Sequence, residues 1–316
     1  LQLFIISKLI KIISLKKMIS RSIFQTKEDL ISFNNECKNM KDFLKQNIDQ
    51  YKSYPIVVLI GMIGAGKSSL SCCLSEKSLI IQANGRRKYL VGEGVGQSLN
   101  ACTTIPSIIF NSNIQLSIVD LPGFEDNRND EQEILNSISI DSLFDIFPDH
   151  TKKYKIVLVI TSYDFQINRC TKLLNSFSRL KKMFPNYNEI KNTFGIVITK
   201  GCHEYNADEY VAYFNDAFNS TENQTADMID LHQFLNQYKD NIFTFPQPLD
   251  DNIGTQYEFR DHQRLSLFLK SNYLQNPKHA ICLSNDAESN LILSYNTSKN
   301  NALFTIRELC QKINNK

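Results

Sequence analysis

Glycine is scarce in this chain, 11 among 316 residues, and the scarcity makes its distribution informative. Seven of the 11 (Gly61, Gly64, Gly66, Gly85, Gly92, Gly94 and Gly96) fall in one short region. Other absences narrow the field. The eight cysteines (Cys37, Cys72, Cys73, Cys102, Cys170, Cys202, Cys282 and Cys310) contain no C-x-x-C pair, and the five histidines complete no metal-ligand spacing, so nothing points to a zinc site. A net charge of +2 is too slight to argue for bulk nucleic-acid binding by phosphate neutralisation. No internal repeat or long low-complexity tract is visible. What remains is a chain with 42% hydrophobic residues, ample for a packed core, and long enough for one large α/β domain with extensions or two small domains.

The first 18 residues lack acidic groups and mix apolar side chains with Lys8, Lys11, Lys16 and Lys17. The lysines interrupt the apolar run too early for a membrane-spanning helix. A basic amphipathic surface helix or a targeting segment is compatible with this pattern. The favoured reading treats Met18 as the start of translation and residues 1–17 as artefactual, with no function assigned to them. Scattered thiols read as reduced and packed, which implies a cytoplasmic protein. The Asn-x-Ser/Thr sequons at Asn219, Asn223 and Asn296 would then stay unmodified.

Against this background one stretch stands out. Gly61-Met-Ile-Gly-Ala-Gly-Lys-Ser68 has the G-x-x-x-x-G-K-S/T spacing of a phosphate-binding P-loop. It follows an apolar run, Ile56 to Ile60, that reads as a buried strand, and precedes a helical spacing through Leu74. A chance match is expected in roughly 1% of chains of this length, and the strand–loop–helix setting lowers that further. In such a loop backbone N–H groups point at phosphates, and glycine is needed where a Cβ would block the approach. Gly61, Gly64, Ala65, Gly66, Lys67, Ser68 and Ser69 form the candidate nucleotide-binding set. Lys67 reaches the β- and γ-phosphates, and Ser68 ligates Mg²⁺.

A triphosphate site also needs an acid on the magnesium side and a sensor of the terminal phosphate. The run Ile114 to Val119 reads as a strand ending in Asp120-Leu-Pro-Gly123. Asp120 at a strand end can hold Mg²⁺ through water, and the Gly123 N–H can face the γ-phosphate; taken alone, D-x-x-G also describes an ordinary turn. Between the motifs lies a glycine-rich segment, Val91 to Pro106. It reads as a mobile loop from which Thr103 (or Thr104) could close over Mg²⁺ and the γ-phosphate, the alternative being a plain hairpin loop. Thr103 is the choice here, as metal ligand and, with Lys67, as catalytic residue.

Further strand-like runs are Ile156 to Ile160, Phe194 to Thr199 and Ile242 to Phe245, with helical spacing at 134–144, 167–183, 210–218 and on through 228–235. Continuous apolar strands alternating with amphipathic helices imply an α/β three-layer sandwich with a mostly parallel sheet and the ligand at the strands' carboxyl ends. The expected organisation is an amino-terminal helical segment (1–50), a P-loop domain (51–250) and a helical carboxyl-terminal extension (251–316) with helices at Gln263 to Tyr273 and Asp286 to Ile313.

The P-loop ending Gly-Ala-Gly-Lys-Ser-Ser69, together with Val119-Asp-Leu-Pro-Gly-Phe-Glu-Asp126, resembles the GTPases grouped with septins and the immunity-associated AIG1-type proteins, over roughly Pro55 to Pro248. Within that group Gly123 to Ile134 and Ile242 to Pro248 look most similar to ciliate G-domain proteins. The resemblance implies a Mg²⁺-dependent GTP-binding domain that hydrolyses slowly and pairs or polymerises across its nucleotide face.

Two departures qualify it. The guanine-reading motif of such GTPases is Asn/Thr-Lys-x-Asp; here Thr199 and Lys200 match, but Cys202 occupies the carboxylate position. A thiol cannot accept the paired N–H bonds of guanine, although Glu204 could substitute if the loop bulges. Phe124 stands where many GTPases carry a water-orienting glutamine. Hydrolysis would then draw on Glu125, Asp126, Arg128 or a second copy of the chain. A non-hydrolysing nucleotide-binding interaction module and an ATPase are the rival readings.

Overall fold

The computed structural model describes residues 35, 38–39, 41–43, 45–46, 54–84, 87–92, 106–123, 136–140, 142–144, 153–166, 170–248, 253–271 and 273–275. Nine strands are described: β1 (Ile56–Gly61), β2 (Ile80–Asn84), β3 (Arg87–Val91), β4 (Ser107–Asn111), β5 (Leu116–Asp120), β6 (Lys153–Thr161), β7 (Phe194–Gly201), β8 (Ile242–Pro246) and β9 (Leu274–Gln275). The helices are α1 (Lys67–Leu74), α2 (Ser162–Gln166), α3 (Thr171–Met183), α4 (Tyr187–Ile190), α5 (Ala207–Asn219), α6 (Ala226–Gln237) and α7 (His262–Lys270). Residues 136–140 and 142–144 are also helical, as the spacing there implies.

The main sheet runs β4-β5-β1-β6-β7-β8, with β9 beside the start of β6 and β2-β3 forming a separate hairpin. β5, β1, β6, β7 and β8 are parallel, while β4 and β9 pair antiparallel. Together with the helices on both faces this is a three-layer α/β sandwich built on a mostly parallel sheet. The connections step one way from β1 to β5 and the other way to β6. That reversal opens a crevice at the carboxyl end of β1, where ligands of parallel α/β sheets bind.

Both faces of the sheet are covered, which explains why β1 is apolar throughout. Ile56, Val58 and Ile60 face a core shared with α3, α5 and α6. Val57 and Leu59 face the opposite core, with Leu70 and Leu74 of α1 and Leu265, Phe268 and Leu269 of α7. The segment 253–275 is therefore knit into the sheet domain. β9 registers Tyr154 with Leu274 on the flank of β6.

Several elements differ from the sequence expectation for identifiable reasons. The apolar spacing across 210–235 resolves into α5 and α6, because Thr225 accepts from the Met228 N–H and starts a new helix. α5 itself opens with a capping box between Asn206 and Glu209. The strand expected from Ile114 begins at Leu116: Asn111 Oδ1 accepts from the N–H groups of Asn113 and Ile114, and this turn joins β4 to β5. The helix expected to run to Tyr273 stops at Lys270 and gives way to β9. The expected helix at 286–313, and residues 1–17, lie outside the described residues. Among the described residues no helix is long and apolar enough to cross a membrane.

Candidate functional site

β1 ends at Gly61, and the reason is steric. A Cβ there would lie 2.1 Å from the Val159 carbonyl oxygen of β6, so only glycine lets the chain turn off the sheet this close to its neighbour. The loop then closes on itself through an Ala65 N–H···Met62 O bond of 3.2 Å. Gly66 sits at the cap of α1 with φ 89, a conformation that favours glycine. No side chain caps this helix and its first turn holds no acidic residue. The orphan amides of the first turn and the positive end of the helix are thus left to an anion.

Lys67 is buried beneath the loop, its Nζ donating to the carbonyl oxygens of Gly61 (3.1 Å) and Met62 (3.0 Å). Burial pushes its ammonium down to about 8, opposed by the charge of Asp120. Ser68 Oγ donates to Asp120 Oδ2 at 2.6 Å, which joins the first turn of α1 to the end of β5 across 52 residues of sequence. Gly123 lies hard against the loop: a Cβ on it would be 2.6 Å from the backbone N and Cγ1 of Ile63. The two halves of the expected triphosphate site are therefore in contact.

Thr199 and Lys200, at the end of β7, are placed beside the loop as well. Thr199 Oγ1 contacts the carbonyl oxygens of Ala65 (2.6 Å) and Ile160 (3.0 Å), and Lys200 Nζ donates to Gly64 O at 2.6 Å. Lys200 has φ 57, and the β7–β8 register shifts between Thr199 and Gly201, so the strand bulges where it meets the loop. Sequence reasoning placed these two side chains beside the base and missed their role as tethers of the phosphate loop. Cys202, free and exposed, follows directly.

For Mg²⁺, the protein donors on offer are the Ser68 hydroxyl and the Asp120 carboxylate, both hard oxygens. No cluster of three or more His, Cys, Asp or Glu capable of holding a metal exists among the described residues. That donor set fits a cation carried in on phosphates, which needs few protein ligands. Ser69 lies on the same first turn of α1. Thr103, Phe124, Glu125, Asp126 and Arg128 lie outside the described residues.

A further segment carries no recognisable motif yet flanks the site. Arg260 Nη1 donates to His203 O (2.9 Å) and Nη2 to Tyr205 O (3.1 Å), clamping the chain that follows β7. The available sequence signal was the alternation of polar Gln256, Glu258 and Arg260 with Tyr257 and Phe259, which are buried.

No protein-family model matches this sequence, and no curated protein matches it as a relative. Among solved structures, it is similar to Toc33 from Arabidopsis thaliana in complex with GDP and Mg²⁺, with 11% identity, 78% of this chain and 95% of that chain covered, and a TM-score of 0.34. A structure of chloroplast translocon components atToc33 and psToc159, described under the statement that dimerization is important for their GTPase activity, gives 12% identity, 77% and 92% coverage and a TM-score of 0.38. A variant of SsGBP gives 14% identity, 76% and 66% coverage and a TM-score of 0.32. At such identities and TM-scores the likeness carries nothing about single residues or activity.

Proposed function

We propose that this chain is a GTP-binding P-loop protein that takes GTP with Mg²⁺, hydrolyses it slowly, and uses nucleotide state to control self-association or a protein partner. The observation that carries the reading is the closed arrangement around one helix terminus. Lys67 sits beneath the loop, the Ser68–Asp120 pair lies at its mouth, and Thr199 and Lys200 are tied to its carbonyl oxygens. Backbone amides of the loop and the first turn of α1 bind the phosphate chain, and the Lys67 ammonium meets its β- and γ-oxygens. Ser68 and Asp120 would hold Mg²⁺, which when bound neutralises charge shared by the β- and γ-phosphates. Gly123, packed on Ile63, would meet the terminal phosphate, and the segment following it would report nucleotide state.

Pairing across the nucleotide face is supported by Tyr163 and Tyr205, which are exposed just beyond the carboxyl ends of β6 and β7. The rival reading, a non-hydrolysing interaction module, is favoured by the thiol at Cys202 and by Phe124. Two measurements test the proposal. Nucleotide identification in freshly purified protein should return GDP or GTP; adenine nucleotide alone would refute the guanine assignment. Phosphate release across a protein concentration series should rise more than linearly, and no release at any concentration selects the module.

A further inference from the structure

The departure at Cys202 leaves a guanine base without its carboxylate, and the structure offers another one. A cleft of about 780 Å³ opens beside the loop that follows β7, within the size range of small-molecule sites. Its walls include His203, next to Cys202, and the segment Gln256 to Arg260 that leads into α7. Ile81 of the β2–β3 hairpin closes another side: its N–H donates to Thr255 O at 3.0 Å, which holds the hairpin against this segment.

The segment is extended, with Tyr257 and Phe259 buried and Gln256, Glu258 and Arg260 exposed on the other face. Arg260, on that outer face, grips the carbonyl oxygens of His203 and Tyr205, so the outer face looks across at the chain after β7. Glu258 lines the cleft on that face, one alternation before Arg260. His203 adds a buried Nε2 with no hydrogen-bond partner among the described residues. Glu204 is exposed and does not line the cleft. The cleft is joined to the phosphate loop through Thr199 and Lys200, which touch Ala65 and Gly64 only three or four residues before His203.

We propose that the nucleobase lies in this cleft and that the Glu258 carboxylate reads guanine in place of the missing acid at Cys202. The inference rests on the GTP-binding reading above. A carboxylate opposite guanine accepts from N1–H and from the 2-amino group. Changing it to an amide turns one acceptor into a donor, which suits xanthine, whose 2-position carries an oxygen.

The test is competition of GTP, XTP and ATP for a fluorescent guanine nucleotide on the full chain. Wild-type protein should prefer GTP to both. Glu258→Gln should lose about a hundredfold in GTP affinity and shift preference to XTP, while Glu204→Gln leaves the order unchanged. Melting temperatures of the exposed-site variants should match wild type. An unchanged GTP-to-XTP ratio in Glu258→Gln, or an inversion in Glu204→Gln, overturns the assignment. In either case loss of binding in Lys67→Ala leaves the P-loop reading standing, whereas full binding in Lys67→Ala refutes that reading first.

Discussion

Lys67→Ala, read together with the pH dependence of the wild type, is the sharpest probe of the site. The lysine is 6% exposed and its ammonium is pushed down to about 8, so near that pH half of the ligand-free protein has lost the charge. A bound triphosphate holds the proton in place. Affinity should therefore fall as pH rises, about twofold by pH 8 and about tenfold by pH 9, the latter about 1.4 kcal/mol. Removing the side chain altogether should cost roughly 2–5 kcal/mol of binding. Folding responds with the opposite sign. The unfolded chain keeps its proton up to the ordinary value of 10.5, so it binds more protons than the fold between about 8 and 10.5. The ligand-free protein should then gain stability across that interval, and Lys155, also buried and pushed down to about 8, adds to the same trend. Titrating a ribose-labelled, non-hydrolysable GTP analogue from pH 6.5 to 9 at fixed ionic strength measures the first effect; thermal melts measure the second. Titration of the base contributes equally to wild type and Lys67→Ala. Parallel affinity profiles for the two proteins would refute the role assigned to the buried ammonium.

Other perturbations should act on distinct parts of the structure. Gly61→Ala drives a methyl group into the Val159 carbonyl at 2.1 Å and should destabilise by about 3 kcal/mol or more, seen as a lowered melting temperature or insolubility. Gly123→Ala presses on the Ile63 backbone at 2.6 Å; the fold should survive, while discrimination between triphosphate and diphosphate, measured by competition, should shrink. Ser68→Ala removes the hydroxyl bonded to Asp120, so nucleotide affinities measured in Mg²⁺ and in EDTA should converge. Thr199→Val loses hydroxyl contacts to Ala65 O and Ile160 O and should cost about 1–2 kcal/mol of stability by chemical denaturation.

The central sheet was legible because parallel strands buried on both faces need a continuous apolar stretch, and residues 56–60 of β1, 156–160 of β6 and 194–198 of β7 supply one. β4 was not, since Ser107 to Asn111 lies at the sheet's edge, where four of its five residues are half-buried and no long apolar run is required. The β2–β3 hairpin mixes Gln82, Arg87 and Lys88 with apolar residues and so offers no continuous apolar run to read. Helix identity followed from spacing, but the break between α5 and α6 depended on a cap at Thr225 that periodicity cannot register. At the site, Lys67, Ser68 and Asp120 were legible as a motif because phosphate chemistry fixes residue type and spacing together. The approach of Gly123 to Ile63, and the cleft lined by Glu258, depend on chain segments 60 and 56 residues removed from their partners (Ile63 to Gly123, Cys202 to Glu258) and have no local signature.

Thr199 and Lys200 are consecutive in sequence, yet each fastens to a different carbonyl of the loop that begins at Gly61. The end of β7 therefore stands between two compartments, the loop that begins at Gly61 and the chain leading to Cys202. Any pull on that chain reaches the loop over two short bonds from the end of β7. The two compartments cannot be tuned separately: a substitution that reshapes one will reset the fit of the other.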